Sequence, residues 1–186
     1  RLFWGDLHAG QTEIGCGADS LERHFSYARH AAGLQFASQQ ANDHYVTREI
    51  WQLVREVSHA CDAPGDFVCY LGCEWSPFTE DGGDRNVIYR DDEERIRRSD
   101  RFFTEREPDP EPDLKRAPEF LAALRDEEVL LNLHVGGRPT NLHWHEPKIE
   151  PLFEIHSTHG TSEWFVKDAI ERGYKVGITG GTDGVM

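Results

Sequence analysis

The sequence has no long apolar run and no surplus of basic residues, and these absences exclude several functions. No stretch approaches the roughly 18 apolar residues of a transmembrane helix, and no segment has the pattern of a signal peptide. The 34 acidic residues outnumber the 20 basic ones and give a net charge of −14. This charge argues against a nucleic-acid backbone or an anionic membrane as the main partner, and a solvated acidic surface explains it most simply.

Cysteine is scarce and forms no paired motif. Cys69 and Cys73 lie in an apolar run, where buried free thiols are the usual outcome. This usage favours a reducing compartment, and we expect a cytoplasmic protein. The four cysteines, none of them in a C-x-x-C pair, are Cys16, Cys61, Cys69 and Cys73.

Three common catalytic motifs are also absent: the GxSxG nucleophile elbow, the P-loop, and a GxGxxG turn after a strand. A Ser/His/Asp triad stays open as an alternative, although no serine has a setting that suggests a nucleophile. The chemistry is therefore sought in other side chains.

The length and composition are those of one folded domain. With 186 residues, 38% of them hydrophobic and 29% charged, the chain is long enough to bury a core. It opens without Met and stops directly after a glycine-rich turn. We expect a single domain over residues 1–186, within a longer protein.

Apolar runs typical of strands alternate with amphipathic helical segments. Helices are predicted after the caps Ser20 (or Asp19), Thr47 and Ser162, and from Pro118. Strands are predicted at residues 2–4, 34–37, 66–75, 85–90, 129–134, 152–156 and 175–179. This alternation predicts an α/β fold with a parallel sheet and crossover helices, either open or closed into a barrel.

The segment at about residues 91–117 differs from the rest in composition. Asp, Glu, Arg and Pro dominate it, with prolines at positions 108, 110 and 112. Such a segment buries little and is predicted to be a mobile surface excursion. An alternative is a lid over a site, with Phe102 and Phe103 as its apolar tip.

Most of the predicted strands lead into a His, Asp or Glu. Any one of these, taken alone, is more often a hydrogen-bonded or solvated residue than a ligand. In an α/β fold, however, the carboxyl ends of the strands share one edge, so we expect these side chains to converge. They are His8, Asp43, His44, Glu74, His134, His156 and Asp183.

This set of side chains predicts a metal site. Imidazoles and carboxylates without a thiolate cluster suit Zn, Mn or Fe, and a bridging carboxylate suits more than one ion. Two such ions polarise a phosphoryl or carbonyl oxygen and activate a water for attack. The pattern therefore predicts hydrolysis of a phosphoester, or of another ester or an amide.

The order of these motifs resembles the polymerase and histidinol phosphatase (PHP) family. The likeness covers almost the whole chain, and the stretches FWGDLH, GCEW, HVGGRP and GTSEW are similar to a branch known only as a domain of unknown function. The resemblance implies a distorted (β/α)7 barrel, incomplete in this chain, that binds up to three metal ions. The motifs are Asp6-Leu7-His8, Asn42-Asp43-His44, Glu74, His134, His156 and Thr182-Asp183.

The resemblance also implies a ligand set. The first ion would be held by His8, Glu74 and Asp183. Glu74 would bridge to a second ion, which His134 and His156 would complete. His44 would belong to a third ion, and Asp43 would orient a ligand.

Three positions depart from the family pattern. The opening motif HxH has Gly10 in place of its second histidine, and the closing motif DxH has Val185. The motif usually found as TDH is Asn42-Asp43-His44 here. We therefore expect two ions at most. The first ion needs help from Gln11, Asp6 or water, and Cys16 is a further candidate ligand.

Two functions follow from this reading. The first is a metal-dependent phosphoesterase acting on a small phosphorylated substrate, with Glu74 and Asp183 at the metals and Arg138 or Arg85 neutralising the phosphate. Arg138 could equally pair with a surface acid. His159 is a candidate general acid, the alternative being a solvated loop histidine.

The second function is that of a degenerate PHP domain that serves as a scaffold or metal-binding module. Gly10 and Val185 favour this function. The intact Glu74, His134, His156 and Asp183 disfavour it, and we expect an enzyme.

Overall fold

The described part of the chain forms nine strands and four helices in an α/β arrangement. The structure is a computed structural model and describes residues 1–93, 95–101, 103–104 and 110–184. The helices are α1 (Leu21–His30), α2 (Arg48–Cys61), α3 (Ala117–Leu124) and α4 (Glu163–Glu171). The strands are β1 (Gly5–Ala9), β2 (Phe36–Gln39), β3 (Val68–Tyr70), β4 (Gly72–Trp75), β5 (Arg85–Tyr89), β6 (Val129–Leu133), β7 (Leu152–Ser157), β8 (Gly160–Thr161) and β9 (Gly177–Gly180). Within these ranges no helix is long and apolar enough to cross a membrane.

The predicted helix caps are confirmed for the first two helices. The Ser20 hydroxyl accepts a hydrogen bond from the Arg23 N–H, and the Thr47 hydroxyl accepts one from the Ile50 N–H. Both helices bury the apolar face that the spacing predicts, for example Phe25 in α1. Sequence pattern alone therefore locates these helices.

The first strand begins later than predicted. Residues 2–4 were expected to form a buried strand, but Leu2, Phe3 and Trp4 are 72%, 55% and 66% exposed. The ladder to β2 starts only at Gly5, which pairs with Phe36. His8 consequently lies inside β1 rather than in the turn after it.

The predicted strand at residues 66–75 is divided between two sheets. Strand β3 closes the sheet β1-β2-β3, and β4 opens the sheet β4-β5-β6-β7, which β8 and β9 extend from β7. The sheets touch where Asn42 bridges to Glu74 and where the Gln40 amide donates to the Val87 carbonyl. Among the described residues, these hydrogen bonds do not close the sheets into the expected barrel.

Strand β5 runs against its neighbours. The ladders β1–β2, β2–β3, β6–β7 and β7–β9 are parallel as predicted, whereas β5 is antiparallel to both β4 and β6. The start of β5, and not its end, therefore lies beside the carboxyl ends of the parallel strands. Asp84, which immediately precedes β5, is placed at that edge.

Part of the 91–117 segment is buried. Residues Ile96, Arg97, Arg98 and Ser99 are between 1% and 7% exposed. The Arg98 Nε donates to the Val46 carbonyl, and the Arg98 carbonyl accepts from the Leu114 N–H. The prediction that this segment buries little is therefore wrong for residues 96–99.

The expected lid tip is only partly described. Phe102 lies outside the described residues. Phe103 is 53% exposed and stacks on Tyr45, with 4.5 Å between the ring centroids. Tyr45 directly follows His44, so this end of the segment lies beside the edge that carries the candidate ligands.

The two ends of the described chain meet at the same edge. The Asp183 N–H donates to the His8 carbonyl at 2.7 Å, and the Gln11 N–H donates to the Gly184 carbonyl at 3.2 Å. These bonds attach the stretch after β9 to the end of β1, and they bring Asp183 next to His8.

A buried ion pair links β5 to the loop before β7. The Arg85 Nε donates to Glu150 Oε1 at 2.5 Å, and both side chains are fully buried. Arg85, one of the two arginines considered for a phosphate, is thus already paired with a carboxylate. Burial raises the pKa of Glu150, but Arg85, His145 and the Glu146 N–H outweigh it and hold that pKa below its usual range.

We expect Glu150→Gln to destabilise the protein by about 3 kcal/mol, because it leaves the Arg85 charge buried without a counter-ion. The depressed pKa of Glu150 contributes stability above the unfolded-state pKa that is lost as pH falls. The variant should accordingly lose stability less steeply than the wild type between about pH 5 and pH 3. Denaturant unfolding across this range measures both effects.

Glu128→Gln is the matched control, because Glu128 pairs with Arg90 at the exposed surface. We expect it to cost less than about 1 kcal/mol. Equal losses in the two variants would contradict a special contribution from the buried pair.

Candidate metal centre

Three buried ligand groups converge at the carboxyl edge of the sheets. His8 comes from β1, Glu74 from β4, and His134 directly follows β6. Each offers a ligand atom, and these atoms all lie within 4.8 Å of one another. The three residues are 1%, 4% and 1% exposed. The convergence predicted for His8, Glu74 and His134 is therefore present in the fold.

The Nε2 atom of His8 faces two carboxylates. It lies 3.2 Å from Asp183 Oδ1 and 3.6 Å from Glu74 Oε2. Two ligands of a tetrahedral ion, each about 2.1 Å from the metal, are about 3.4 Å apart. The spacing of these atoms is close to that of ligands around one small cation.

The charge around His8 also favours a cation. Burial lowers the pKa of His8, but the carboxylates of Asp183, Glu154 and Glu74 outweigh it and raise that pKa well above its usual value. The imidazole at the centre of three acids therefore holds a proton when no other cation is present.

Two neighbouring polar groups hold Glu74 in place. The Gln11 amide donates to Glu74 Oε2 at 2.9 Å, and the Ser76 hydroxyl donates to Oε1 at 2.7 Å. Both carboxylate oxygens are thus oriented before any ligand binds. Gln11, which we expected to help bind the first ion, contacts Glu74, one of the expected ligands of that ion.

His134 has no hydrogen-bond partner for either ring nitrogen within the described part of the chain. Burial, followed by the nearby His8, His159, Arg85 and Arg138, lowers its pKa well below the usual value. The ring is therefore neutral, which is the form that binds metals. A buried ring with two unpaired nitrogens needs a partner, and a metal ion supplies one.

Asp84 provides a further carboxylate next to His134. Its carbonyl accepts the His134 N–H, and a Cβ added at Gly136 would lie 2.7 Å from Asp84 Oδ2 and 3.1 Å from His134 Nδ1. Oδ2 is buried and has no hydrogen-bond partner among the described residues. Burial and the nearby Glu74 raise the pKa of Asp84 to about 8, despite the opposing Arg138.

These observations fit a divalent cation. Among the described residues, the buried atoms without partners include the Nε2 of His8, both ring nitrogens of His134 and the Oδ2 of Asp84, which are donors that Zn, Mn and Fe take in proteins. Asp183, at the edge of the group, is 6% exposed and its Oδ2 lies 3.2 Å from His159 Nε2. His159, the candidate general acid, is 51% exposed and reaches the site from the solvent side.

His156 lies away from this group. It is exposed on the β7–β8 hairpin, and its Nδ1 lies 2.8 Å from Thr161 Oγ1. The alternation of a regular strand would place it on the face of Glu154, which is buried. The pairing of β7 with β9 shifts register between these two residues, and this irregularity turns His156 outward.

His44 is buried beside the group but is not among its converging atoms. Its Nε2 lies 3.2 Å from the Ser99 hydroxyl, and its ring stacks on Phe78 with 4.7 Å between centroids. Asp43 accepts the Ser76 N–H and the Ser99 N–H, and its Oδ1 is 3.6 Å from His44 Nε2. Asp43 thus connects the loop after β4 to the 91–117 segment.

Arg138 stands at the rim and is paired with an acid, although not one at the surface. Its Nη1 donates to Asp84 Oδ1 at 3.3 Å, and its guanidinium lies 4.7 Å from the centroid of the Phe78 ring. The Arg138 Nε is buried and makes no hydrogen bond to the described residues. The side chain therefore keeps an unused donor next to the metal-site carboxylates.

The departures at Gly10 and Val185 and the candidate ligand Cys16 have different outcomes. Gly10 has a positive φ of 69°, and a Cβ there would lie 2.7 Å from His24 Nε2, so the His24 ring occupies that space. Cys16 is exposed and forms no disulfide with the described residues. The partial burial of its thiol, followed by the nearby Glu74 and Asp183, raises the pKa of that thiol. Val185 lies outside the described residues.

A family model and two solved structures resemble the chain. The sequence model of a family described as proteins of unknown function (DUF3604) matches residues 11–134, about two thirds of the chain. The chain belongs to the DUF3604 family. No curated protein matches it.

Two solved structures are similar in fold to this DUF3604 chain. One is a two-domain protein from Bacteroides vulgatus containing a predicted PHP-like metal-dependent phosphoesterase; the TM-score is 0.66 and the identity 11% over 98% of this chain. This chain covers 52% of that protein, about half its length. The other is a candidate metal-dependent phosphoesterase from Bifidobacterium adolescentis, with TM-score 0.61 and 14% identity over 98% of this chain and 87% of that one. At these identities the comparisons show a shared fold.

Two acidic residues of the DUF3604 chain's site are missing from the sequence-based set. Asp84 precedes a predicted strand rather than following one, so a pattern of strand ends in a parallel sheet does not include it. Glu154 lies within a predicted strand, two residues before His156, so the same pattern does not include it. A carboxylate inside the otherwise apolar Leu152–Ile155 run was the available signal.

We expect Gly181→Ala to distort the DUF3604 site. A Cβ there would lie 2.6 Å from His8 Cβ and 2.6 Å from Glu154 Oε2, so one of these must move. The cost of such overpacking is about 1–3 kcal/mol, and binding of Zn²⁺ should weaken in parallel. Denaturant unfolding and Zn²⁺ titration measure the two effects.

Gly180→Ala is the matched control, because the nearest atom to its added Cβ is the His156 carbonyl oxygen at 4.0 Å. It should leave Zn²⁺ binding unchanged. Wild-type stability and binding in the Gly181 variant would contradict the close packing of Gly181 against His8.

Proposed function

We propose that this DUF3604 chain is a metal-dependent hydrolase, and specifically a phosphoesterase with a binuclear metal centre. The observation that carries the proposal is the buried convergence of His8, Glu74 and His134, with Asp183 beside His8 and with imidazole nitrogens that have no partner among the described residues. The likeness in fold to PHP-like proteins supports the same class. The substrate we propose is a small phosphorylated molecule.

The proposed ligands divide into two sets around Glu74. His8, Glu74 and Asp183 hold the first ion, and the distances around His8 Nε2 support this set. Glu74 and His134 would hold the second ion, and Asp84, whose Oδ2 has no partner among the described residues, is our candidate for its third ligand. His44 and His156 are not assigned, because His44 is stacked under Phe78 and His156 is exposed. The ions we propose are Zn, Mn or Fe.

The protein's own groups have separate tasks in this proposal. Bound divalent ions supply Lewis acidity and a water that is acidic enough to act as nucleophile near neutral pH. Arg138, whose side chain is 21% exposed at the rim, would offer its guanidinium to a phosphate oxygen. His159, exposed beside Asp183, is placed to give a proton to the leaving group. Gln11 and Ser76 keep Glu74 oriented throughout.

Metal content and turnover test the proposal directly. We expect protein purified without added metal to hold, or to take up, about two equivalents of Zn, Mn or Fe. An ion present at 100 times its Kd should stabilise the fold by about 2.7 kcal/mol, and chelation should reverse this. Elemental analysis and thermal unfolding with and without chelator are the measurements.

Glu74→Gln should lower hydrolysis of an aryl phosphate by at least about 100-fold, since each 1.4 kcal/mol of lost transition-state stabilisation costs a factor of ten. Glu163→Gln, an exposed change on α4, is the control and should keep full activity. Undiminished turnover by the Glu74 variant would exclude the bridging role. No metal uptake by the wild type would favour the scaffold alternative.

Arg138→Gln distinguishes phosphate binding from structural pairing. If Arg138 binds the phosphate, KM for phosphoesters should rise about tenfold or more, the worth of a charge-assisted hydrogen bond. Steady-state kinetics measure this, with the surface change Arg90→Gln as the control. An unchanged KM would mean that Arg138 serves only to neutralise Asp84.

A further inference from the structure

Beneath His8 a chain of hydrogen bonds crosses the interior of the fold. The Thr179 hydroxyl lies 2.7 Å from Asn132 Oδ1, the Asn132 amide 3.1 Å from Glu154 Oε2, and Glu154 Oε1 2.9 Å from His8 Nδ1. The four residues come from β9, β6, β7 and β1 in that order. None of the sequence motifs includes Glu154, Asn132 or Thr179.

The donor and acceptor of each bond in this chain are determined by chemistry. A carboxylate only accepts, so Glu154 must receive a hydrogen from the Asn132 amide and another from the His8 ring. The Asn132 oxygen, turned away from Glu154, accepts from the Thr179 hydroxyl. The direction of each hydrogen bond therefore determines the direction of the next one, and the last hydrogen in the chain lies on His8 Nδ1.

A hydrogen on Nδ1 leaves the other ring nitrogen for a metal. His8 Nε2 points away from Glu154 toward Asp183 and Glu74, the two carboxylates that face the proposed ion. A metal-binding histidine commonly donates its second N–H to a carboxylate, which selects the tautomer and makes the ligand more basic. The geometry around His8 reproduces this arrangement.

We propose that Glu154 is a positioning residue that fixes His8 as the Nδ1–H tautomer and aims its Nε2 at the metal. This inference rests on the proposed metal centre and extends it by one residue beyond the ligands. It assigns to Asn132 and Thr179 the task of orienting the Glu154 carboxylate. Glu154 itself contacts no substrate.

The surrounding residues restrict the conformation of the Glu154 side chain. It is 3% exposed, Asn132 is fully buried, and both Glu154 oxygens are engaged. Gly181 approaches so closely that an added Cβ would lie 2.6 Å from Glu154 Oε2. The carboxylate is therefore confined to the position from which it reaches His8.

Glu150, four residues earlier, provides a matched comparison. It is equally buried, but it pairs with Arg85 and not with His8. Loss of its charge should therefore destabilise the fold without changing how tightly a correctly folded molecule binds a metal. A change at Glu154 should instead weaken metal binding by the correctly folded molecule without destabilising the fold.

The first test is Zn²⁺ affinity, measured by competition with a chelating dye on folded protein. We expect Glu154→Gln to raise the Kd about 10- to 100-fold, the usual effect of losing such a partner. Thr179→Val removes the outermost donor at nearly constant shape. It should raise the Kd about threefold, an effect at the low end of the range for one neutral hydrogen bond. Glu150→Gln should leave the Kd of the folded fraction unchanged.

The second test observes the tautomer and does not depend on activity. In Zn²⁺-loaded wild type, a nitrogen-edited NMR spectrum should show a slowly exchanging Nδ1–H of His8 at low field, because that hydrogen is buried against a carboxylate. In Glu154→Gln the signal should move upfield or disappear by exchange. A purely structural role for Glu154 would leave the signal unchanged.

The outcomes separate this inference from the proposed function. Zn²⁺ binding by the wild type with equal Kd values for Glu154→Gln and wild type overturns the positioning role and leaves the metal centre intact. No Zn²⁺ binding by the wild type overturns both. If Glu154→Gln fails to fold, the Kd of Thr179→Val decides, and a wild-type value there overturns the inference.

Discussion

Four buried carboxylates gathered around two imidazoles impose the strongest electrostatic constraint on this structure. Glu74, Glu154 and Asp183 face His8, and Asp84 lies beside His134. Burying ionised carboxylates costs several kcal/mol each unless a cation or hydrogen bonds compensate. Arg138 neutralises Asp84 only in part, as the raised pKa of that carboxyl shows. A cation at the centre would remove the remaining repulsion, and for this reason we propose a metal centre rather than a group of structural acids.

The sequence predicts the elements of this fold well where the signal is local. The caps Ser20 and Thr47 satisfy backbone donors that follow them within three residues, so the helices they start can be located without tertiary information. The candidate ligands His8, Glu74 and His134 could be predicted because each comes directly after, or lies within, an apolar strand. Their convergence then follows from the shared edge of parallel strands.

The rest depends on how strands pair, which no local pattern reports. An apolar strand has the same composition in either direction, so the antiparallel course of β5, which brings Asp84 to the edge of the site, cannot be predicted from it. The register shift in β7 separates Glu154 from His156, although both lie at a spacing of two. The charged composition of residues 96–99 predicted an exposed segment, and this prediction is wrong. A charged segment can be buried when backbone carbonyls such as that of Val46 accept its guanidinium hydrogens.

The closure of the fold and the assembly of the site depend on the same contacts. No continuous ladder joins the two sheets within the described residues; the ends of β1 and β9 meet instead through the bonds of His8 and Gln11 with residues 183 and 184. His8 therefore contributes to the closure of the fold and to the assembly of the site. Its carbonyl accepts the Asp183 N–H, and its ring faces Glu74, Asp183 and Glu154. Since ligands from β1, β4 and the ends of β6 and β9 must be brought together to hold an ion, binding stabilises the arrangement that unites these strands. A bound cation would thus replace part of the cohesion that a continuous hydrogen-bond ladder provides in a closed barrel.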